Sequence, residues 1–367
     1  PPPLFFSNQT TANEIRLSLV GSEMCIRDSI MTEMKDDLLN WALSQGPNLG
    51  FNTIISLKPL REQASLRSYF RIETERGTKI GVVSEQFSKE NQLFKNHSSF
   101  LLENGLSVPA VEAYDHEKGL MILEDFGDKV LQLEINAENK SSLYKHAIKE
   151  VQKIQLCDTS PDLTILSRRQ LEEQMKLFEK WFLSGFLNLE FSDGEKKLVH
   201  DSWKIISREC VHQNYAICHF DFEFRNLMLL PDNSIGILDF QDLCVGPYAL
   251  DLVSILKDIE NPLTRIELME YMQFYINELK YSEGEVTLSI ENLERDIDFA
   301  GFQRQFRILG TLSRLHLRDK KSFRLFDLIQ TLKFLIEDSI KYDDLKDLGE
   351  FLKGKIEPRL EKTIQYL

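Results

Sequence analysis

The sequence predicts an α+β chain in which a small β-rich lobe precedes a large helical lobe. Three observations carry this. β-type runs bounded by turn residues crowd between residues 53 and 123. Helical periodicities dominate from Leu143 onward. Between them, at Glu124-Asp125-Phe126-Gly127-Asp128, an apolar strand gives way to an acidic, glycine-containing connector. A chain of 367 residues can hold two lobes. The expected division is 31–126 for the N-lobe and 127–367 for the C-lobe, with 1–30 set apart.

The elements follow in order. Met31 to Leu43 reads as a short helix, with Met34, Leu38 and Trp41-Ala42 at helical spacing and Gly46-Pro47 as its expected end. Residues 53–57 form a short β-type run, and 61–68 are polar and loop-like. Tyr69–Glu73 and Lys79–Ser84 read as a hairpin turned at Glu75-Arg76-Gly77. A helix over 88–103 precedes two more strands, Val111–Tyr114 and Leu120–Leu123. Past the connector, Leu143, Ala147, Val151 and Ile154 mark one helical face. Further helices are expected over Gln170–Phe186 and Glu195–Cys210. A second hairpin, Leu227–Leu230 and Ile235–Leu238, turns at Pro231-Asp232-Asn233. After Gly246-Pro247 the pattern is helical to the end.

Composition excludes several classes. The chain is 42% apolar and 28% charged, as a soluble globular protein is. A net charge of −14 argues against a nucleic-acid partner and against adhesion to anionic lipid. No apolar run approaches the roughly 20 residues that span a bilayer. Five cysteines without a CxxC pair point to free thiols in a reducing cytoplasm rather than to zinc or disulfides. Residues 17–29 resemble translated sequencing-adapter read-through, which makes Met31 or Met34 the expected native start. Removing residues 1–30 takes away three acidic and two basic side chains, so the charge argument stands at −13. Nothing in the sequence sets an oligomeric state.

The chemistry concentrates in one loop and the strand after it. His219-Phe220-Asp221-Phe222-Glu223-Phe224-Arg225-Asn226 is followed by Leu238-Asp239-Phe240. Phosphoryl transfer from ATP needs a carboxylate at the acceptor hydroxyl and oxygen ligands that hold Mg²⁺ on the phosphates. Asp221 suits the base. Asn226 offers a neutral amide oxygen, and Asp239 a carboxylate fixed at a strand end. Each residue alone reads more readily as an ordinary turn or cap. Their joint spacing between the right elements makes the functional reading the stronger one. His219 reads as a brace for the loop, and Asp251 as a cap or brace from the following helix, with a third metal ligand as its alternative. Asp242 reads as a turn residue.

At these residues the chain resembles the aminoglycoside phosphotransferase/choline kinase group of the protein-kinase-like fold. The match is sharpest with the bacterial N-acetylmuramate/N-acetylglucosamine anomeric kinases. SLRSYFRI (65–72), GLSVPAVEAYDHEKGLMILEDFGD (105–128), KLFEKWFLSGFL (176–187) and the segment 301–335 carry that narrower likeness. The resemblance implies an ATP- and Mg-dependent kinase of an amino-sugar hydroxyl, acting in cell-wall sugar recycling. It implies adenine at the Glu124–Phe126 backbone and phosphates beneath Ser65–Ser68. Trp181 would lie near the sugar, with core packing as the alternative. Glu223 and Arg225 are further acceptor-side candidates.

Two departures stand out. Many relatives have His where this chain has Glu223, which would add negative charge near the phosphates. The strand lysine that usually pairs with ATP is also missing from Ile80–Glu85; Lys79 and Lys89 are the nearest. Arg61 and Arg67 are candidates to supply the charge. These departures leave open a kinase of another small molecule, such as an aminoglycoside or choline-like amine, or a nucleotide-binding pseudokinase.

Overall fold

In the computed structural model, which describes residues 34–60, 67–84, 88–157, 163–283 and 287–366, the chain opens with helix α1 over residues 34–49. Leu38, Trp41 and Ala42 fall on its buried face. Gly46-Pro47 does not end it, contrary to expectation. The helix stops at Gly50, whose φ of 84° suits glycine. Proline in a last turn removes one backbone donor, which a helix end tolerates better than its middle. Residues 1–30, Met31, Arg61 and Ser65 lie outside the described residues.

Five antiparallel strands follow: β1 (Ile54–Pro59), β2 (Ser68–Thr74), β3 (Gly77–Val83), then β4 (Val111–Asp115) and β5 (Leu120–Glu124) after helix α2 (Ser88–Glu103). Their order in the sheet is β1-β2-β3-β5-β4. Along β2 every second residue, Phe70, Ile72 and Thr74, is buried, as a strand with one covered face requires. Phe70, Ile72, Val83, Leu120 and Ile122 share one core with Leu38, Trp41 and Leu57.

The chain divides into two compact units. One ends at Leu93 and takes in Ala110–Asp125; the other takes in Phe94–Pro109 and continues from Phe126. The second unit holds α3 (Leu131–Glu134), α4 (Lys140–Gln155), β6 (Thr164–Ile165), α5 (Arg168–Leu177), α6 (Asp193–His212), β7 (Tyr215–Cys218), β8 (Leu227–Leu229), β9 (Ile235–Ile237) and β10 (Cys244–Pro247). Then come α7 (Ala249–Leu256), α8 (Arg265–Glu283), α9 (Ile290–Leu317), α10 (Asp327–Ser339), α11 (Lys346–Phe351) and α12 (Glu357–Gln365).

Helix α9 is the axis of this unit and packs on α5, α6, α7 and α10. Gly310 allows its closest approach: a Cβ there would lie 2.3 Å from the Leu177 backbone. At that point the single helix expected over Gln170–Phe186 changes character. α5 passes into a π-helical stretch over Phe178–Phe186, after which the Leu187 N–H reaches back five residues to Phe182 O. The small sheet β6-β10-β7 was not expected, because strands of two to four residues carry too little period to read. No helix among the described residues is long and apolar enough to cross a membrane.

Candidate active site

The aromatic residues of the loop explain its shape. Phe222 and Phe224 are fully buried, and Phe224 meets the edge of Tyr144 at 4.7 Å. Anchoring these rings leaves Asp221 and Asn226 at half-buried positions on either side of them. The Asn226 N–H donates to Glu223 O (2.8 Å), and its side-chain amide donates to Asp221 O (2.9 Å). With its nitrogen committed to Asp221, the amide turns its oxygen the other way.

Hairpin register sets the Asp239 backbone close to Asn226. Leu227 pairs with Ile237, and the Leu238 N–H donates to Asn226 O at 2.8 Å. Asp239 is therefore the next residue past the position facing Asn226. It adopts a left-handed conformation with φ 64° and ψ 38°, as does Phe220 at φ 75°. Such backbone is rare for residues with a Cβ and persists only where the surroundings enforce it.

The enforcing groups are visible. The Asp251 carboxylate, fully buried at the start of α7, accepts the N–H of His219 (2.6 Å) and of Phe220 (2.8 Å). Burial lifts this carboxyl above its usual range, and His219 and the two backbone donors oppose the shift. His219 Nε2 sits 2.9 Å from Leu238 O, so as a donor it ties the loop to the residue before Asp239. Phe240, just after Asp239, stacks on Phe94 at 4.6 Å and its carbonyl is 3.2 Å from His97 Nδ1. A Cβ at Gly236 would lie 2.5 Å from the Phe126 ring, so this glycine makes room for Phe126 against β9.

Glu223 is where the structure departs most from expectation. Rather than adding free negative charge, it is buried and enclosed by three guanidiniums. Arg304 Nη2 donates to Oε1 at 2.6 Å, Arg225 pairs with Oε2, and Arg324 approaches to 3.5 Å. Burial alone would raise this carboxyl, but Arg304, Arg324 and Arg225 outweigh it and hold it well below the usual value of 4.5. Arg324 also pairs with Asp327 at 2.7 Å. Arg225 is thus occupied with Glu223, and lies 3.7 Å from Glu260. Arg304, Arg307 and Arg324 were not singled out from the sequence. A readable signal exists: Gly301 to Phe306 is a helical run buried on all sides that still contains an arginine.

The remaining candidates belong to other elements of the chain. Trp181 is half-buried on the π-helical stretch, and its ring contact is with Lys180 at 5.1 Å. In the β-rich unit, Ser68 begins β2 and Arg67 donates to Asn91 and to the Glu90 carbonyl. Lys79 is committed to Glu112 at 2.6 Å. Glu124 ends β5, and its neighbour Asp125 is held by Arg71 at 2.7 Å.

Among the described residues no three His, Cys, Asp or Glu side chains gather to hold a metal on their own. A magnesium site made of one carboxylate, one amide oxygen and phosphate oxygens does not need such a group. The donor set of Asp239 and Asn226, hard oxygens on adjacent backbone, fits that ion.

N-acetylmuramate/N-acetylglucosamine kinases from Pseudomonas putida and Pseudomonas aeruginosa are 28% and 27% identical to this chain. Each match covers 81% of the chain and 87% of the relative. Among solved structures, choline kinase LicA from Streptococcus pneumoniae superposes with a TM-score of 0.58 at 14% identity, over 81% of this chain and 98% of that one. An ADP-bound aminoglycoside phosphotransferase, APH(2'')-Ib, gives 0.57 at 14% identity, over 82% and 98%. These likenesses establish the α+β, protein-kinase-like fold with a β-rich N-lobe and a helical C-lobe. The phosphotransferase enzyme family, APH, matches residues 56–285, more than half of the chain. With that match and its kinase relatives, the chain belongs to the APH phosphotransferase family and is a small-molecule kinase.

Proposed function

We propose that this protein transfers the γ-phosphoryl group of ATP to the anomeric hydroxyl of a small amino sugar, N-acetylmuramate or N-acetylglucosamine, in cytoplasmic recycling of cell-wall sugars. What supports this is the hairpin register that sets Asp239 one residue past the position facing Asn226, whose amide donates to Asp221 O, in a chain whose curated relatives are named for these two sugars. The four described cysteines are buried and form no disulfide with one another, which suits a reducing compartment.

Asp221 orients the acceptor hydroxyl and takes its proton. The hydroxyl oxygen forms the new bond to phosphorus as the bond to ADP breaks, with no covalent enzyme intermediate. Asn226 and Asp239 would hold Mg²⁺, which would supply charge neutralisation on the phosphate oxygens. The left-handed Asp239 and the Asp251 brace keep these groups in place before substrate arrives. Residues 31–126 serve as the nucleotide-binding lobe, through Ser65, Arg67 and Ser68 for the phosphates and the Glu124–Phe126 backbone for adenine. Trp181 and Arg225 lie on the acceptor side in this reading.

The test is a panel assay of ATP consumption with N-acetylmuramate, N-acetylglucosamine, choline and kanamycin, with and without Mg²⁺. Preferential turnover of the two amino sugars supports the reading. Preference for choline or kanamycin replaces the acceptor, and Mg-ATP binding without any transfer makes the protein a pseudokinase.

A further inference from the structure

Arg307 stands apart from the other arginines around the loop. Its guanidinium lies 4.1 Å from the centre of the Phe220 ring, and its Nη2 donates to Phe220 O at 3.3 Å. Stacking and hydrogen bond together fix a flexible side chain beside the residue that precedes Asp221. Among the described residues no carboxylate comes within ion-pair distance of it, and its buried Nε has no hydrogen-bond partner. Glu223 cannot serve as that partner, being occupied by Arg225, Arg304 and Arg324. Two helical turns further along α9, Arg314 likewise has a buried Nε without a partner.

A guanidinium that is pre-positioned, half-buried and without a counter-ion is built for an anion that arrives with a ligand. Next to Asp221 that anion is either an acid group on the acceptor or the phosphoryl group in transfer. Arg307 meets the loop ahead of Asp221, at Phe220, whereas Asn226 and Asp239 follow it on the proposed metal side. We infer that Arg307 is a specificity-determining residue that binds the carboxylate of an acidic acceptor. This rests on the amino-sugar kinase reading, in which one of two acceptors is an acid and the other is neutral.

The experiment pairs the two sugars. Steady-state kinetics of the full chain, Arg307→Gln and Arg307→Lys are measured with N-acetylmuramate, with N-acetylglucosamine and against nucleotide concentration. Arg307→Gln is expected to raise KM for the acid by about 10- to 100-fold, the range of a lost charge-assisted hydrogen bond. The rise for the neutral sugar stays below a tenth of that, and Arg307→Lys falls between. Equal loss on both sugars, or a loss that follows nucleotide KM, assigns Arg307 to the phosphoryl group and overturns the inference. Calorimetric binding of each sugar is measured as well, because it needs no turnover. Tighter binding of the acid that disappears in Arg307→Gln upholds the inference even if no phosphate is transferred. Equal or absent binding of the two sugars by the unmodified chain overturns it. Failure of transfer alone counts against the proposed activity instead.

Discussion

Arg304 on α9 donates to Glu223 across 2.6 Å, and both side chains are about 4% exposed. A buried ion pair thus joins the middle of the loop between Asp221 and Asn226 to a helix residue 81 positions away in sequence. Removing one partner of such a pair leaves a buried charge uncompensated. Glu223→Gln is therefore expected to destabilise the fold by about 3–5 kcal/mol, read by urea unfolding at neutral pH. Loss of under about 0.5 kcal/mol would mean that water reaches the pair.

The same carboxylate sets a pH dependence. Its folded-state pKa lies below the ordinary 4.5, so its contribution is complete above that value. The contribution is lost as pH falls below 4.5 through the depressed folded value. The stability gap between the native chain and Glu223→Gln should be constant from about pH 6 upward and narrow below 4.5. A gap that widens on acidification would reverse the sign and refute the assignment.

Asp221→Asn keeps the shape of the side chain and its neighbourhood. It is expected to melt like the native protein yet lose at least about 10²-fold in turnover, as removal of a positioned base does. Near-native kcat would remove Asp221 from the base role.

Asp251, fully buried, accepts two backbone N–H groups, of His219 and Phe220. Asp251→Ala strands both, at a cost of about 1–3 kcal/mol each. Amide hydrogen exchange at His219 and Phe220 should speed up more than exchange in β2, and kcat should fall with it. Uniform acceleration across the chain would indicate general destabilisation instead.

Gly310 offers a purely steric test. A methyl group there would meet the Leu177 backbone at 2.3 Å, and backbone cannot rotate away. Gly310→Ala should cost about 1–3 kcal/mol by overpacking, visible as a lowered melting temperature. An unchanged melting temperature would show that α9 and α5 can separate there.

The sequence by itself determined what is local. The hairpin that sets Asp239 near Asn226 was legible because its two strands are joined by a short turn, and register follows from strand alternation. The β2–β3 hairpin and the acidic connector were legible for the same reason. The tertiary structure alone decided the fate of Glu223. In sequence it is a charged residue in a loop, which normally means solvent. In the fold, α9 and the segment before α10 bring Arg304 and Arg324 onto it from positions 81 and 101 residues further along the chain, and its charge becomes internal. Arg307, the π-helical stretch and the β6-β10-β7 sheet share that origin. Each depends on which distant surfaces meet, and local periodicity carries no record of that.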